Sequence, residues 1–394
     1  MKALQDLIVL DLTRVLAGPY AGMMLADMGA EVIKIEAIGK GDDSRAFGPF
    51  IGEESAYFMS LNRGKKSITL DLKAPEGKEV LKRLVEKADI LLENFRGGTM
   101  EKLGLSYDVL KEVNPRLIYV SCTGFGQTGP YKTDPAYDVI VQGMGGLMSI
   151  TGQENGEPTR VGASIGDITA GLFSAIGALT ALHARTLTGK GQLVDVAMLD
   201  CQLAILENAV ARYLITGESP APIGNRHPSI TPFESFPSKD GNIIIAIGND
   251  TLWKKFCDLV GHPEWSEAEE YKTNGLRNAH QPELRQLLLP VFATKTTKEW
   301  IAELKHIGVP VGPINTVGEA VNDPSIQARD MIVEVEHPIA GKMKMPGVPI
   351  KLSDTPGSVE KAAPVLGADT EAILKDMLGF DDDMVAALRA KNVI

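Results

Sequence analysis

The 394-residue sequence has few of the features that mark several protein classes. Its three cysteines, Cys122, Cys201 and Cys257, lie far apart and form neither a disulfide framework nor a CxxC metal motif. We therefore expect a reducing, cytoplasmic environment. Aromatic residues make up only 6% of the chain, but the apolar content of 44% is enough for a large core and excludes a disordered chain.

Basic charge is also scarce. The chain has 40 lysines and arginines against 51 aspartates and glutamates, which gives a formal net charge of −11. A nucleic-acid-binding surface normally needs a basic stripe, so we predict no nucleic-acid partner. The densest basic cluster is Arg63, Lys65 and Lys66. It is typical either of a solvated loop or of a contact with a small polyanion.

Long hydrophobic runs are missing as well. The most apolar stretch, residues 168–182, contains glycine, serine and threonine and is shorter than a membrane span, so it predicts a buried helix. A strand-like run at residues 7–10 is not preceded by a signal-peptide pattern. We expect neither export nor a membrane partner.

The usual motifs of several enzyme classes are absent. The six histidines show no metal-ligand spacing, and no GxSxG or GxxxxGK[ST] motif occurs, so we predict no metal, no serine hydrolysis and no ATP-driven chemistry. Residues 124–129 match GxGxxG after a predicted strand. However, Pro130 follows directly, and a helix cannot begin before about Asp134. An oxidoreductase that binds NAD or flavin is therefore a distant alternative.

Short runs rich in β-branched residues alternate with helical patterns in the first half of the chain. The predicted strands are residues 7–12, 31–36, 67–72, 89–93, 117–121 and 193–198. The predicted helices are residues 19–28, 75–87, 134–148, 167–187 and 200–215. Strands separated by helices form βαβ units, so we predict an α/β fold with a mainly parallel sheet.

Two prolines and two glycines at residues 217–224 indicate a linker. We predict that residues 1–216 begin a large domain, that residues 217–325 form a small domain with its linkers, and that residues 326–394 return to complete the large domain. The small domain is predicted to contain a strand at 242–247 and a helix at 297–307. The return segment is predicted to contain strands at 331–336 and 341–345 and a helix at 369–392.

One carboxylate stands out after these exclusions. Asp167 lies at the start of a strongly apolar helix, with small residues around it. It is typical of an N-cap residue. The same position also suits a nucleophile, because a helix N-terminus stabilises an anion and small neighbours leave room for a substrate. The residues by themselves leave both interpretations open.

A set of ordered motifs resembles the family III CoA-transferases, also called the CaiB/BaiF family. The motifs lie at residues 9–19, 29–36, 62–68, 93–95, 124–130, 166–167, 189–192, 309–315 and 364–367. The GFGQTG loop at 124–129 is part of this signature, which accounts for it without a dinucleotide. The resemblance extends over almost the whole chain.

The resemblance implies an enzyme that moves CoA from an acyl-CoA donor, succinyl-CoA or acetyl-CoA, to a free carboxylic acid. Asp167 matches the family's nucleophile, which forms an aspartyl mixed anhydride and then an enzyme–CoA thioester. The CoA thioester is a substrate, and no metal, NAD or flavin is expected. Backbone N–H groups of the glycine-rich loop are the expected stabilisers of the developing oxyanions.

The resemblance also implies a CoA site. Its residues are Arg14, Val15, Ala17, Leu70, Lys73, Asn94, Phe95 and Lys102. Lysines suit phosphates as point charges, and Phe95 is expected to lie against the adenine. Two positions depart from the family pattern. Ala37 stands where a basic residue is common, with Lys40 or Arg45 as replacements, and Lys102 lacks the bidentate fork of an arginine.

For the acceptor, residues 224–233 lack the glycine run of formyl-CoA:oxalate enzymes. They look more like the branch that uses succinyl-CoA and dicarboxylic acids such as glutarate. Tyr137, Arg160, Arg226 and His227 are the candidate substrate residues, since cations can pair with a distal carboxylate. Arg226 and His227 are equally typical of a loop anchor.

An α-methylacyl-CoA racemase is the alternative activity. Racemases of this family keep the aspartate at position 167 and carry a histidine where this chain has Tyr137. A tyrosine phenol titrates near pH 10 and a histidine at about 6.5, so the exchange disfavours α-proton transfer. A catalytically silent CoA-binding protein is a further alternative. The resemblance also implies a Rossmann-like large domain, a smaller α/β domain and an interlocked homodimer.

Overall fold

The computed structural model describes residues 1–394. The chain folds into two compact units. The large unit consists of residues 1–148, 160–217 and 324–394, and the small unit of residues 149–159 and 218–323. The chain thus leaves the large unit twice. The short excursion at 149–159 was not predicted from the sequence.

The large unit contains a six-stranded sheet in which every pair of neighbours is parallel. Its strands follow the order β5-β2-β1-β6-β7-β8. Its N-terminal part has strands β1 (Ile8–Asp11), β2 (Glu31–Glu36), β3 (Phe50–Ile51), β4 (Glu54–Ser55), β5 (Lys66–Thr69), β6 (Ile90–Glu93), β7 (Ile118–Thr123) and β8 (Leu193–Ala197), of which β3 and β4 form a separate hairpin. The prediction of an α/β fold with a mainly parallel sheet is confirmed.

Helices connect these strands. They are α1 (Ala17–Asp27), α2 (Ala56–Asn62), α3 (Pro75–Val85), α4 (Thr99–Leu103), α5 (Tyr107–Val113), α6 (Asp138–Met144), α7 (Leu147–Ile150), α8 (Ile165–Thr188), α9 (Met198–Ile205) and α10 (Glu207–Thr216). A short 3-10 helix covers Asp43–Ala46. Pro75 begins α3, where a missing backbone N–H costs nothing.

The core lies on both faces of the sheet because successive strand residues point to opposite sides. Leu10 and Leu91 pack in one buried cluster, and Val9 and Ile90 pack in another. The sheet is therefore covered on both faces, as is typical of parallel sheets.

The long helix α8 is only partly the buried helix that the sequence predicted. Small residues line its buried side, and a Cβ atom at Gly171 would lie 2.7 Å from the carbonyl oxygen of Ala17, so α8 approaches the start of α1 closely. Its other side exposes Phe173, Ile176 and Leu179. It is the one helix whose length and composition would suffice to cross a membrane, and 44% of its most apolar window is buried.

Three predicted helices are wrong in extent. The helix predicted at 134–148 begins only at Asp138 and is interrupted near Gly146, which has a φ of +86°. The helix predicted at 200–215 breaks at Leu206 between α9 and α10. The helix predicted at 369–392 is interrupted at Gly379, whose left-handed φ of +69° ends its first part.

The small unit has an antiparallel sheet in the order β11-β10-β9. Its elements are β9 (Phe233–Pro237), β10 (Asn242–Ala246), α11 (Asp250–Leu259), α12 (Asn274–Ala279), α13 (Gln281–Phe292), α14 (Thr297–His306), β11 (Val311–Pro313) and α15 (Val317–Val321), with a 3-10 turn at Pro263–Ser266. Trp253, Phe256, Phe292 and Trp300 are buried in its core.

The return segment belongs to the large unit. It contains α16 (Pro324–Ala328), the antiparallel hairpin of β12 (Ile332–His337) and β13 (Gly341–Pro346), α17 (Thr370–Leu378) and α18 (Asp382–Ala390). Helix α17 packs against β5 and α3, and the Ser67 backbone N–H donates to Asp369 at 2.8 Å. The return segment, residues 324–394, thus covers the β5 edge of the sheet with α17.

Candidate active site

Two cavities open at the carboxyl ends of the strands in the large unit. The first has a volume of about 490 Å³ and the second about 280 Å³, and Arg14, Asp43 and Phe95 line both. The chain runs outward from β1 to β5 on one side and from β6 to β8 on the other. Ligands of open parallel sheets bind at such a reversal of strand order.

The first cavity has an apolar lining that includes Leu12, Ile35 and Leu70. Of the predicted CoA residues, Arg14, Leu70, Lys73 and Phe95 border it, and Val15, Ala17 and Asn94 border the second cavity together with Arg14 and Phe95. The Arg14 guanidinium lies 5.1 Å from the centre of the Phe95 ring. Lys102 is exposed on α4 and borders neither cavity, although its neighbours Thr99 and Leu103 border the first.

The two basic residues considered as replacements at Ala37 differ in their surroundings. Arg45 is bound to Glu36 through Nε at 2.8 Å and Nη2 at 2.7 Å, and its guanidinium lies 3.7 Å from the centre of the Phe58 ring. Lys40 is exposed at the first cavity, with Nζ 2.5 Å from Asp43 Oδ1. Lys40 is therefore the one of the two that borders a cavity.

Asp167 borders the second cavity together with Ala17, Gly124, Phe125 and Tyr137. The N-cap interpretation of Asp167 is wrong, because α8 begins at Ile165 and its N-cap is Ser164. Asp167 is thus the third helical residue. Its partly buried carboxylate lies in the first turn of α8, near the positive end of the helix.

The surroundings of Asp167 favour its neutral form. Burial, followed by the charge of the Asp138 carboxylate, raises the pKa of Asp167 to about 7. Asp138 is held in place because its Oδ2 accepts from Gln142 Nε2 at 2.7 Å and its Oδ1 accepts from the Gly166 backbone at 2.8 Å. Close to neutral pH, Asp167 is available both as acid and as carboxylate.

Two other groups near Asp167 stay neutral at neutral pH. Burial raises the pKa of Cys122, which borders the same cavity, to about 12. Burial, then the charges of Asp167, Asp42 and Asp138, raise the pKa of Tyr57 to about 12. Tyr57 is therefore a phenol that can donate a hydrogen bond, and Cys122 is not a thiolate nucleophile.

Only the first part of the GFGQTG loop faces the cavity. A Cβ atom at Gly124 would lie 2.2 Å from the Ala136 Cβ, so only glycine fits there. The amides further along are already used, because Gly126 donates to Thr123 Oγ1 and Gln127 donates to Asp195 Oδ2, both at 2.9 Å. These two amides are thus unavailable as the oxyanion donors that the sequence suggested.

The four candidate substrate residues have different surroundings. Tyr137 borders the second cavity with 73% of its surface exposed. The Arg160 side chain donates to the carbonyl oxygens of Val161 and Gly162 at 3.2 and 3.0 Å, and Arg160 does not border the cavity. The close backbone of its own loop satisfies this guanidinium.

Arg226 and His227 lie in the small unit. Arg226 pairs with Glu154 at 2.9 Å and donates to Gln281 at 3.3 Å. His227 Nδ1 accepts from the Ser229 backbone at 3.1 Å. These contacts are those of a loop anchor, which was one of the two interpretations of the pair.

Sequence reasoning missed the roles of Asp138, Asp43 and Tyr57. Asp138 follows Tyr137 directly, and no local pattern distinguishes it from the other carboxylates of the chain. No local pattern marks Asp43, which borders both cavities, or Tyr57, which interacts electrostatically with Asp167, because both come from segments distant from Asp167 in the sequence. The predicted site assignments as a whole stay predictions.

Comparison with known proteins agrees with the motifs. Residues 4–370 match the CoA-transferase family III. The chain is 44% identical over 372 residues to the acetyl-CoA:oxalate CoA-transferase of Acetobacter aceti, with 94% of each chain covered. It is 39% identical over 395 residues to the succinyl-CoA:glutarate CoA-transferase of Homo sapiens, covering 100% of this chain and 90% of that one.

A solved structure shows the same similarity in three dimensions. The crystal structure of a CAIB/BAIF family protein from Brucella suis superimposes with a TM-score of 0.85 at 42% identity, covering 95% of this chain and 99% of the other. The resemblance drawn from the sequence motifs is confirmed. The chain belongs to the CoA-transferase family III and is a CoA-transferase.

Proposed function

We propose that this enzyme transfers CoA from an acyl-CoA donor to a dicarboxylic acid, with Asp167 as the nucleophile. One observation carries the proposal. A partly buried carboxylate with a raised pKa borders one cavity, and that cavity shares Arg14, Asp43 and Phe95 with a larger apolar cavity beside it. The two adjoining cavities suit a long ligand whose reactive end lies at Asp167.

The first half-reaction uses two attacks. An Asp167 oxygen attacks the thioester carbonyl carbon, the C–S bond breaks, and CoA leaves as a thiolate, which gives a mixed anhydride between Asp167 and the donor's acyl group. The thiolate then attacks the Asp167 carbonyl carbon, and the donor acid leaves as its carboxylate. The product is an Asp167–CoA thioester.

The second half-reaction reverses these steps with another acid. The acceptor carboxylate attacks the Asp167 thioester carbonyl and releases the thiolate. The thiolate attacks the acceptor's acyl carbon, which restores the Asp167 carboxylate and gives the new acyl-CoA. One thioester replaces another, so no external energy source is needed.

The local electrostatics support these roles. A partly desolvated carboxylate is a better nucleophile than a hydrated one, because less water must be removed for attack. The first turns of α8 and α1 meet the cavity at Asp167 and Ala17. Their positive ends stabilise the negative charge that develops on the tetrahedral intermediates.

We assign CoA to the larger cavity. Its volume of about 490 Å³ and apolar lining suit the nucleotide end of CoA, with Phe95 beside the base. Arg14, Lys40 and Lys73 supply positive charge along its border. Lys102 is exposed on α4 outside the lining of this cavity.

The acceptor is inferred from the relatives. The proteins from Acetobacter aceti and Homo sapiens are named for oxalate and glutarate, which are both dicarboxylic acids, and for acetyl-CoA and succinyl-CoA as donors. Tyr137 is an exposed hydrogen-bond donor at the cavity that contains Asp167. We therefore propose that it binds the acceptor's carboxylate.

We further propose a cytoplasmic homodimer whose subunits interlock and whose large domain is Rossmann-like. The exposed apolar side of α8 supports an interface, because a contiguous apolar surface of this kind marks association. The strand order of the parallel sheet supports the domain type. Three free cysteines support a reducing compartment.

Trapping with hydroxylamine tests the proposal. The purified protein is incubated with acetyl-CoA or succinyl-CoA and hydroxylamine, and peptides are analysed by mass spectrometry. We expect a hydroxamate on Asp167, none in Asp167→Asn, and transfer to oxalate or glutarate in the untrapped reaction. Deuterium incorporation at the α-carbon of a 2-methylacyl-CoA, without acid-dependent CoA transfer, would instead establish a racemase.

A further inference from the structure

The loop that joins β1 to α1 is strained at Val15. Its φ is +67°, a left-handed conformation that a β-branched residue rarely adopts. Val15 borders the cavity that contains Asp167, and its neighbour Arg14 borders both cavities. Backbone strain persists only where the surrounding structure maintains it. The groups that fix the Val15 backbone therefore also affect the shape of the cavity that contains Asp167.

Asp42 is the group that holds Val15. Its Oδ1 accepts a hydrogen bond from the Val15 backbone N–H at 3.0 Å. The same oxygen accepts from the Ser44 backbone at 2.9 Å and from the Ser44 hydroxyl at 2.8 Å. The Asp42 side chain is completely buried, so water does not compete for these bonds.

Lys34 forms an ion pair with Asp42. Its Nζ lies 2.9 Å from Asp42 Oδ2 and donates to the Thr13 carbonyl oxygen at 2.7 Å, and its side chain is also completely buried. Burial alone would raise the pKa of Asp42, but the charge and hydrogen bond of Lys34 lower it to about 2. The ionised pair therefore contacts the loop backbone at both Thr13 and Val15.

Stability alone is a weak reason for such a pair. Burying two charges removes their hydration, and apolar residues of similar size are often as stabilising. The pair is instead placed where two of its atoms bond the backbone of a loop that borders both cavities. That placement matches a role in holding the site's shape.

We propose that Asp42, supported by Lys34, is a positioning residue for CoA transfer, which holds Val15 in its left-handed conformation and so fixes the loop between the two cavities. The inference rests on the proposed function. Asp42 acts through the backbone of Val15 and touches no reacting atom.

A double-mutant cycle with Val15→Gly tests this role, because glycine adopts a positive φ without strain. Asp42→Ala is expected to lower kcat/KM by about tenfold or more and to weaken CoA binding, and in the Val15→Gly background the same change is expected to cost less than about threefold. Multiplicative losses in the two backgrounds would overturn the proposal.

Asp27→Ala is the matched control. Asp27, the last residue of α1, forms another well-buried ion pair, with Arg63 at 2.7 Å, and borders neither cavity. The Asp27→Ala variant is expected to lose about as much thermal stability as Asp42→Ala but to keep kcat/KM within about threefold of the wild-type value. If Asp42→Ala does not fold, Ser44→Ala is used, and an equal loss of activity with and without Val15→Gly contradicts the proposal.

Calorimetric titration with CoA separates this inference from the proposed function. Suppose that the wild-type protein transfers no CoA to any acid, but that Asp42→Ala still weakens CoA binding and Val15→Gly suppresses this loss. The proposed function then fails, and the positioning role of Asp42 stands. If the wild type transfers CoA and Asp42→Ala behaves like Asp27→Ala, the positioning role fails.

Discussion

The Oδ1 atom of Asp138 lies 2.8 Å from the backbone nitrogen of Gly166, the residue before Asp167. This bond ties the first residue of α6 to the first turn of α8. A Cβ atom at Gly166 would lie 2.7 Å from the Val141 side chain and 3.0 Å from the same Asp138 oxygen, so only glycine allows the approach. The consequence is that two carboxylates lie close together, and one of them has a raised pKa.

The pH dependence of transfer follows from this arrangement. The attacking group is the carboxylate of Asp167, and its pKa is about 7, so kcat/KM is expected to rise with pH through about 7 and then level off. Initial rates in constant-ionic-strength buffers measure the profile. An acidic limb that ends near the usual aspartate value would contradict the assignment.

Asp138→Asn is expected to move that limb to lower pH. The substitution removes the negative charge that opposes ionisation of Asp167, while an amide oxygen can still accept from Gly166. The pH profile of the variant measures the shift. An unchanged limb would show that burial alone accounts for the raised pKa of Asp167.

Asp167→Asn is expected to abolish transfer and to stabilise the folded protein at pH 8. A folded-state pKa above the unfolded value means that stability is present at low pH and is lost as pH rises through about 7. The gain in unfolding free energy is expected to be on the order of a few kcal/mol at pH 8 and to disappear near pH 4. Denaturant unfolding at both pH values measures it, with Asp134→Asn, which alters another carboxyl group at the cavity, as the control.

Lys40→Ala is expected to raise the KM for acyl-CoA by about three- to tenfold with little change in kcat, because an exposed phosphate contact contributes to binding alone. Added salt should reduce the difference between variant and wild type. Lys82→Ala is the matched control, since Lys82 is a lysine paired with Glu79 at 2.8 Å on α3, away from both cavities. An equal KM effect from both substitutions would remove Lys40 from the site.

Ile176→Glu is expected to prevent the interlocked dimer from assembling as the chains fold, so that the soluble protein recovered is monomeric. Ile176 is 56% exposed on the apolar side of α8, and a charge there cannot be buried against another subunit without a large penalty. Light scattering coupled to gel filtration gives the mass. Met384→Glu alters an exposed apolar residue on α18 and should leave the mass unchanged. A wild-type monomer would refute the proposed dimer outright.

Much of the fold could be predicted from local patterns. The strands β1, β2 and β6 lie within two residues of their predicted bounds, because short β-branched runs between turns are strong signals. Helix ends were predicted less well. The break at Leu206 follows no residue type that normally ends a helix, so only tertiary packing reveals it.

The candidate site divides in the same way. The sequence by itself determined the family through short ordered motifs, and the resemblance pointed to the nucleophile candidate Asp167 and to seven predicted CoA residues that border the cavities. Only the tertiary structure decided that Lys40 rather than Arg45 borders the first cavity, that Asp138 lies beside Asp167, and that Asp42 accepts a hydrogen bond from the Val15 backbone. Each of these relationships depends on where a side chain points after separate segments pack together, and no local pattern of residues encodes that direction.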